Sequence, residues 1–103
     1  MRTKRLLAGF AIIALPFAAL AQGAPRYLAQ RDVIEAQRQH AEIVAEFGGA
    51  ETGARAAYVE SVGRRVGAYS GLANSNNVLH YTTLNSAVEN AFAVPGGHVY
   101  ITR

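Results

Sequence analysis

The sequence of 103 residues contains no cysteine. Within these residues the absence excludes disulfide bonds, thiolate ligands for zinc and the lipidated cysteine that anchors some exported proteins. An oxidising compartment is compatible with a chain that lacks cysteine but is not required by it. The length allows one domain, and an apolar fraction of 50% is typical of a globular protein rather than a disordered one.

Histidine is also scarce, with three in the chain, at positions 40, 80 and 98. None of them has a second histidine or a carboxylate at a spacing typical of metal ligands, and the sequence contains no H-E-x-x-H. Because a zinc site needs three or four ligands in fixed geometry, we predict no metal site in this chain. We expect His40 to pack on an apolar helix face and His98 to be an exposed residue of a hairpin.

Other signatures of catalysis are missing as well. No serine lies in a G-x-S-x-G sequence, and Glu60 and Glu89 are single carboxylates rather than a pair. Gly96 and Gly97 lack the surrounding G-x-x-x-x-G-K-[ST] of a phosphate-binding loop. We therefore predict no catalytic residue in this chain.

The net charge of +3 is misleading, because Arg2, Lys4 and Arg5 lie among the first five residues. The remainder carries seven arginines and seven acidic residues, so it is neutral. It has no basic face with interleaved aromatic residues. We therefore expect no nucleic-acid partner.

Residues 1–21 have the pattern of a secretory signal peptide. A basic start is followed by an apolar run from Leu6 to Leu20, and Ala19-Leu20-Ala21 matches the small-x-small pattern of a cleavage site. We expect cleavage after Ala21, a periplasmic or secreted location and no stable transmembrane anchor afterwards. The alternative is an uncleaved membrane anchor, although the apolar run is shorter than the roughly 20 residues that a membrane span needs.

Two segments have the apolar spacing of amphipathic helices. The first starts at Asp32-Val33-Ile34-Glu35, which has the form of a capping box, and ends at Gly48-Gly49. The second runs from Gly53 to Ser70. The apolar positions step by three and four along each segment: Val33, Ala36, His40, Ile43 and Phe47 in the first, and Val59, Val62, Val66 and Tyr69 in the second.

Two glycines, Gly63 and Gly67, share one face of the second predicted helix. Each costs about 1 kcal/mol relative to alanine in a helix interior, so we expect another element to approach closely there. A membrane-dimer motif of the G-x-x-x-G type is excluded, because Arg64 and Arg65 lie between the glycines.

The rest of the chain predicts β-structure. Residues 74–77 favour a loop and residues 78–84 a strand. The segments 90–94 and 98–102 flank Pro95-Gly96-Gly97, which predicts a β-hairpin with Val99 and Ile101 on one face and His98, Tyr100 and Thr102 on the other. Two helices followed by a strand and a hairpin predict an α+β fold, in which we expect both helices to cover the same face of the sheet.

Several short segments, taken in order, resemble one family of zinc metallopeptidases. The family includes the HtpX heat-shock protease, the CAAX prenyl endopeptidase and the periplasmic β-barrel-assembly-enhancing proteases. Residues 46–49 and 58–66 are similar to its periplasmic branch, and the resemblance covers residues 30–103. The segments that carry it are Leu84-Asn85-Ser86, Asn90-Ala91-Phe92-Ala93, Pro95-Gly96-Gly97 and Tyr100-Ile101-Thr102-Arg103.

The resemblance implies that residues 22–103 are the amino-terminal part of a metallopeptidase domain. In that family the hairpin leads into a helix and then into H-E-x-x-H, and the present sequence ends at Arg103, so we expect an incomplete domain that is inactive alone. In the full-length family member a zinc ion activates water for hydrolysis of periplasmic or envelope proteins. We expect no cofactor for this chain alone.

The resemblance also implies a substrate cleft, where a polypeptide is held as an added strand. Its border would be formed by Asn90, Ala91, Phe92 and Ala93. A plainer explanation of the same residues places Phe92 in the core and makes Asn90 a turn residue that satisfies its own backbone. The alternative function is a small, non-catalytic periplasmic binding module.

Overall fold

The computed structural model describes residues 24–103, and the predicted signal peptide lies outside this range. Helices followed by a small three-stranded sheet confirm the predicted α+β class. None of the described helices is long and apolar enough to cross a membrane. In chain order the elements are helices α1 (Gln30–Glu46), α2 (Ala54–Gly67) and α3 (Ser75–Val78), then strands β1 (His80–Leu84), β2 (Ala91–Val94) and β3 (His98–Thr102).

The strands form one sheet in the order β1-β3-β2. β2 and β3 pair in antiparallel fashion, with Phe92 opposite Tyr100, so the predicted hairpin is confirmed. β1 pairs parallel to β3, from His80 opposite His98 onward. The second arm of the hairpin is therefore the central strand, and both faces of the sheet are organised around it.

The two helices lie on opposite faces of the sheet, which makes the expectation of a shared face wrong. α1 packs on the face that carries Phe92 and Tyr100, where the rings of Phe47 and Phe92 have centroids 5.4 Å apart. α2 packs on the other face, against the ring of Tyr81. The apolar stripe of a helix indicates how much of it is buried but does not indicate which face of a sheet receives it.

The predicted capping box at the start of α1 is wrong. The helix begins at Gln30, and no side chain caps its first turn. Glu35 instead accepts hydrogen bonds from Arg38 and Gln39 within the same helix. The bond from Arg38 lowers the pKa of the Glu35 carboxyl group, and the solvent-exposed pair adds little to stability.

The predicted end of α1 is confirmed. Gly48 and Gly49 have φ angles of 85° and 99°, which residues with a Cβ rarely adopt. The Gly49 N–H donates to the Val44 carbonyl at 2.8 Å, and the Gly48 N–H donates to the Ala45 carbonyl at 3.3 Å. These two bonds form a Schellman motif, which satisfies carbonyls that the helix end would otherwise leave open.

α2 is shorter than predicted, because it ends at Gly67 and a turn carries the chain on to Ser70. The close approach expected at its two glycines is confirmed. A Cβ atom on Gly63 would lie 2.5 Å from the Tyr81 ring, and one on Gly67 would clash with the Tyr81 hydroxyl. The missing side chains let α2 sit directly on β1.

The loop predicted at residues 74–77 is partly wrong, because α3 forms a single helical turn there. Asn74 precedes it in the left-handed conformation with a φ of 60°, and its carbonyl accepts hydrogen bonds from Asn77 and Val78. A short polar side chain tolerates that conformation best among residues with a Cβ. As a result β1 begins at His80 rather than at position 78.

Candidate functional site

The fold brings the three histidines together, although they are far apart in the sequence. His40 comes from α1, His80 from β1 and His98 from β3. The ring centroids of His40 and His98 are 4.9 Å apart, and those of His98 and His80 are 4.8 Å apart. His98 therefore lies between the other two imidazoles on the α1 side of the sheet, stacked on His80 and tilted against His40, and we call the three rings the histidine column.

His98 is buried, with 7% of its surface exposed, so the prediction of an exposed hairpin residue is wrong. Its side chain points to the face that α1 covers, and it pairs with His80 across the parallel ladder. Burial lowers the pKa of His98, and the neighbouring His80 and His40 lower it further. A neutral imidazole is thus the favoured form at this position.

His40 packs on the sheet as predicted, and it also makes a polar contact. Its Nδ1 atom lies 2.8 Å from the hydroxyl oxygen of Tyr100. Tyr100 is fully buried, and burial raises the pKa of its hydroxyl group. The Tyr100 O–H can donate to His40 when the His40 proton is on Nε2, which gives both groups a partner.

The arrangement does not fit a zinc ion. Residues 24–103 contain no group of three histidine, cysteine, aspartate or glutamate side chains placed to hold a metal. The His80 and His98 rings are stacked, the His40 ring is tilted by 40° to the His98 ring, and the Nδ1 atom of His40 is already engaged by Tyr100. A zinc ion needs nitrogen atoms that converge on one point about 2 Å away, and rings that lie over one another do not provide that.

The four residues predicted to border a cleft lie on or next to β2, at the edge of the sheet. Phe92 is half-buried on the α1 side, where its ring stacks on Tyr100 and packs at a tilt against Phe47. Ala91 and Ala93 are exposed on the opposite face. Asn90 precedes the strand, and its side-chain oxygen accepts a hydrogen bond from the Ala91 N–H at 2.9 Å.

The outer edge of β2 has no neighbouring strand within the described part of the chain. The Thr102 N–H donates to the Asn90 carbonyl at 3.0 Å, so Asn90 faces β3. Because an antiparallel ladder alternates, Phe92 and Val94 also face β3, while Ala91 and Ala93 direct their backbone groups away from it. The Ala91 N–H is taken by Asn90, which leaves the Ala91 carbonyl and both backbone groups of Ala93 available to an added strand.

The opposite edge of the sheet is partly covered. The Glu51 N–H donates to the Thr83 carbonyl, and the Asn85 N–H donates to the Gly49 carbonyl, each at 2.8 Å. The segment between α1 and α2 therefore runs along the second half of β1. Of the two edges, β2 is the more open to another chain.

An apolar groove of about 600 Å³ lies on the α2 side of the sheet. α2 covers β1 there and leaves much of the central strand open. Ala91 and Ala93 share this face of the sheet and are exposed beside it. The groove is lined mainly by Val59, Val62, Val66, Leu79, Val99 and Ile101.

The sequence contained no signal for the histidine column, because three single histidines on three elements form no motif. The alternation along 98–102 did place His98 and Tyr100 on one face, which in hindsight links them to the face of α1 that carries His40. No family model, curated protein or solved structure matches this chain. The family that the sequence resembles therefore remains a proposal.

Proposed function

We propose that this chain is the sheet-bearing, amino-terminal part of an exported zinc metalloendopeptidase of the HtpX and CAAX prenyl endopeptidase type. Its own contribution is to hold an extended polypeptide at the outer edge of β2. The observation that best supports this role is the edge itself, which is open, flanked by two small exposed alanines and formed by the segment that resembles the family.

Strand addition suits a protease of broad specificity. The added strand bonds to backbone groups, which every polypeptide carries, so many sequences can be held. The side chains of Ala91 and Ala93 are short and leave room on the groove side for the side chains of an added strand. The Phe92 ring packs against Phe47 and Tyr100 on the other face. The backbone of β2, rather than its side chains, is then the binding element.

No hydrolytic step is assigned to this chain. Its described histidines do not fit zinc, and the sequence carries no H-E-x-x-H. The proposed role is binding, with catalysis supplied by the residues that follow the hairpin in the family. A small periplasmic module that binds polypeptides without cutting them is the second candidate, and the open edge of β2 within the described residues supports it as well.

The edge can be tested with fluorescein-labelled casein and the chain purified after export. Ala93→Pro removes the outward-facing N–H of Ala93 without removing a ladder bond to β3, and proline is tolerated on edge strands. We expect it to weaken casein binding by at least about tenfold, the equivalent of one lost hydrogen bond and some steric exclusion. Fluorescence anisotropy measures the binding.

Ala93→Ser is the matched control, because it keeps the N–H and adds one polar atom on the exposed face. We expect it to bind casein as the parent chain does. Equal binding by the proline variant, with its fold intact by circular dichroism, would exclude β2 as the binding edge. We also expect no release of casein fragments with or without added zinc.

The two candidates differ in the gene rather than in the binding assay. An in-frame H-E-x-x-H in the coding sequence after codon 103 supports the protease, and a stop codon at that point supports the binding module. Either result leaves the binding role of β2 to be decided by the proline variant.

A further inference from the structure

We propose that the histidine column is a pH-sensitive latch, which holds α1 on the sheet near neutral pH and loosens it in mildly acidic conditions. The proposal goes beyond the function above. It requires neither zinc nor a bound polypeptide.

The latch connects three elements through one buried ring. His98 on β3 contacts His40 of α1 on one side and His80 of β1 on the other, at centroid distances of 4.9 and 4.8 Å. The Nδ1 atom of His98 is buried and has no hydrogen-bond partner among the described residues. A neutral ring is tolerated in such a place, whereas a charged one loses its water without gaining an acceptor.

The surroundings of His98 do not offset that charge. The influences that shift its pKa are burial, then His80, then His40, and all of them act in the same direction. Within the described part of the chain, Tyr100 on the same strand is the remaining titratable neighbour, with ring centroids 6.1 Å apart, and its hydroxyl is neutral at these pH values. β2 contributes Phe92 and Val94 to this face, which carry no charge.

The acidic residues of α1 are placed elsewhere. Asp32 lies over the hairpin turn, where its backbone carbonyl is in close contact with Gly96. Glu35 is bound by Arg38 and Gln39, and Glu42 and Glu46 are exposed. The segment before α1 brings Leu28 against the turn, while its Arg26 donates to the Ser70 carbonyl.

A charged His98 also disturbs the polar contact beside it. The His40 ring lies 4.9 Å from His98, and its Nδ1 atom lies 2.8 Å from the Tyr100 hydroxyl oxygen. If His40 moves away from a charged His98, the Tyr100 O–H loses its acceptor, and Tyr100 is fully buried. A charge on His98 therefore weakens the contact between α1 and the sheet.

The direction of the pH response follows from the lowered pKa of His98. With α1 in place His98 resists protonation, and once α1 is released the ring takes up a proton at its ordinary pKa of about 6.5. The contribution of neutral His98 to holding α1 on the sheet is therefore fully present above about pH 6.5 and falls as the pH drops below that value. For one proton, the opening equilibrium changes by at most tenfold per pH unit.

Hydrogen–deuterium exchange of the purified chain at pH 7.5 and pH 5.5 tests the latch, after correction for intrinsic exchange rates. We expect the amides of α1 to exchange roughly tenfold faster at the lower pH, because it lies about one unit below the ordinary histidine pKa. The amides of α2, on the opposite face of the sheet, serve as the internal control and should change little. Equal acceleration of both helices would overturn the proposal.

Two variants separate titration from packing. His98→Phe keeps an aromatic ring in the column but cannot take up a proton, and it should abolish the acid response of α1. His80→Gln removes one of the two neighbouring imidazoles at an exposed position, and it should reduce the response without abolishing it.

An NMR titration of the imidazole carbons in the unmodified chain covers the case in which His98→Phe does not fold. We expect the protonation midpoint of His98 to lie below the ordinary histidine pKa of about 6.5. A midpoint at the ordinary value of about 6.5 for His98, or a full acid response in His98→Phe, would show that the column does not act as a latch.

Discussion

At the scale of single residues, the contact between Tyr81 and the two glycines of α2 decides how closely helix and sheet approach. A glycine in a helix interior normally costs about 1 kcal/mol relative to alanine. Here the glycine at position 63 makes room for an aromatic ring, since three atoms of the Tyr81 side chain would lie within 2.7 Å of a Cβ. The packing of the Tyr81 ring against α2 therefore offsets the helix propensity that glycine lacks.

We expect Gly63→Ala to destabilise the chain despite the better helix propensity of alanine. Overpacking costs about 1–3 kcal/mol, and the overlap with three ring atoms puts this site at the upper end of that range. Set against the gain of about 1 kcal/mol, the net loss should be about 2 kcal/mol. The shift of the urea unfolding midpoint measures it.

The same substitution in a Tyr81→Leu background provides the control, because the ring that blocks the Cβ is then absent. In that background Gly63→Ala should be neutral or stabilising. An unchanged or raised midpoint for Gly63→Ala in the presence of Tyr81 would contradict the close contact.

At the scale of elements, the end of α1 is held by the loop that follows β1. A Cβ on Gly48 would lie 2.6 Å from the Asn85 carbonyl oxygen, whereas one on Gly49 would meet no atom of residues 24–103 within 4 Å. Both glycines have positive φ angles. Both positions therefore require a left-handed backbone conformation, and they differ in the space available to a side chain.

We expect Gly48→Ala to be more destabilising than Gly49→Ala. Each substitution places alanine in the left-handed region, which costs about 1–2 kcal/mol. Gly48→Ala also forces the Asn85 loop away, which should add about 1 kcal/mol or more. Chemical denaturation of the two variants side by side measures the difference, and equal losses would show that the Asn85 loop does not rest on α1.

Much of the element order could be predicted because the signals are local. The helix end at Gly48-Gly49, the hairpin at Pro95-Gly96-Gly97 and the glycine face of α2 depend on neighbours in the chain. The capping box failed because the helix begins at Gln30, so Asp32 lies in the first turn rather than at the N-cap, and Glu35 bonds to Arg38 and Gln39 instead. A start two residues earlier than the polar signal is not visible in the residue pattern.

The candidate site was less predictable, because it depends on long-range placement. The hairpin and its alternation were predicted, and so was the position of Phe92 on an apolar strand. The burial of His98 was not, since the sequence does not indicate that α1 covers that face of β3. The prediction for the four residues on and beside β2 stays a prediction, although the packing of Phe92 on Phe47 and Tyr100 favours a core role for that side chain.

At the scale of the whole molecule, the sheet is covered unequally. α1 buries the face with Leu84 and Tyr100, both fully shielded from solvent. On the other face the groove beside α2 is open, and Val66 and Tyr69 at its rim are 68% and 92% exposed. An open apolar face next to an unpaired strand edge is a combination that favours self-association.

We therefore expect the isolated chain to be marginally stable and prone to aggregate at concentrations in the micromolar range and above. Val66→Glu should reduce this association, because a charge at the rim of the groove opposes its burial against a second molecule. Val88→Glu is the matched control, since Val88 is 70% exposed and lies in the loop before β2 rather than at the groove.

Light scattering and sedimentation velocity of the three chains compare their association. We expect the parent chain and Val88→Glu to associate alike and Val66→Glu to remain monomeric at higher concentration. A parent chain that is monodisperse and unfolds in one cooperative thermal transition would contradict the prediction, because the open apolar face would then cause neither association nor low stability.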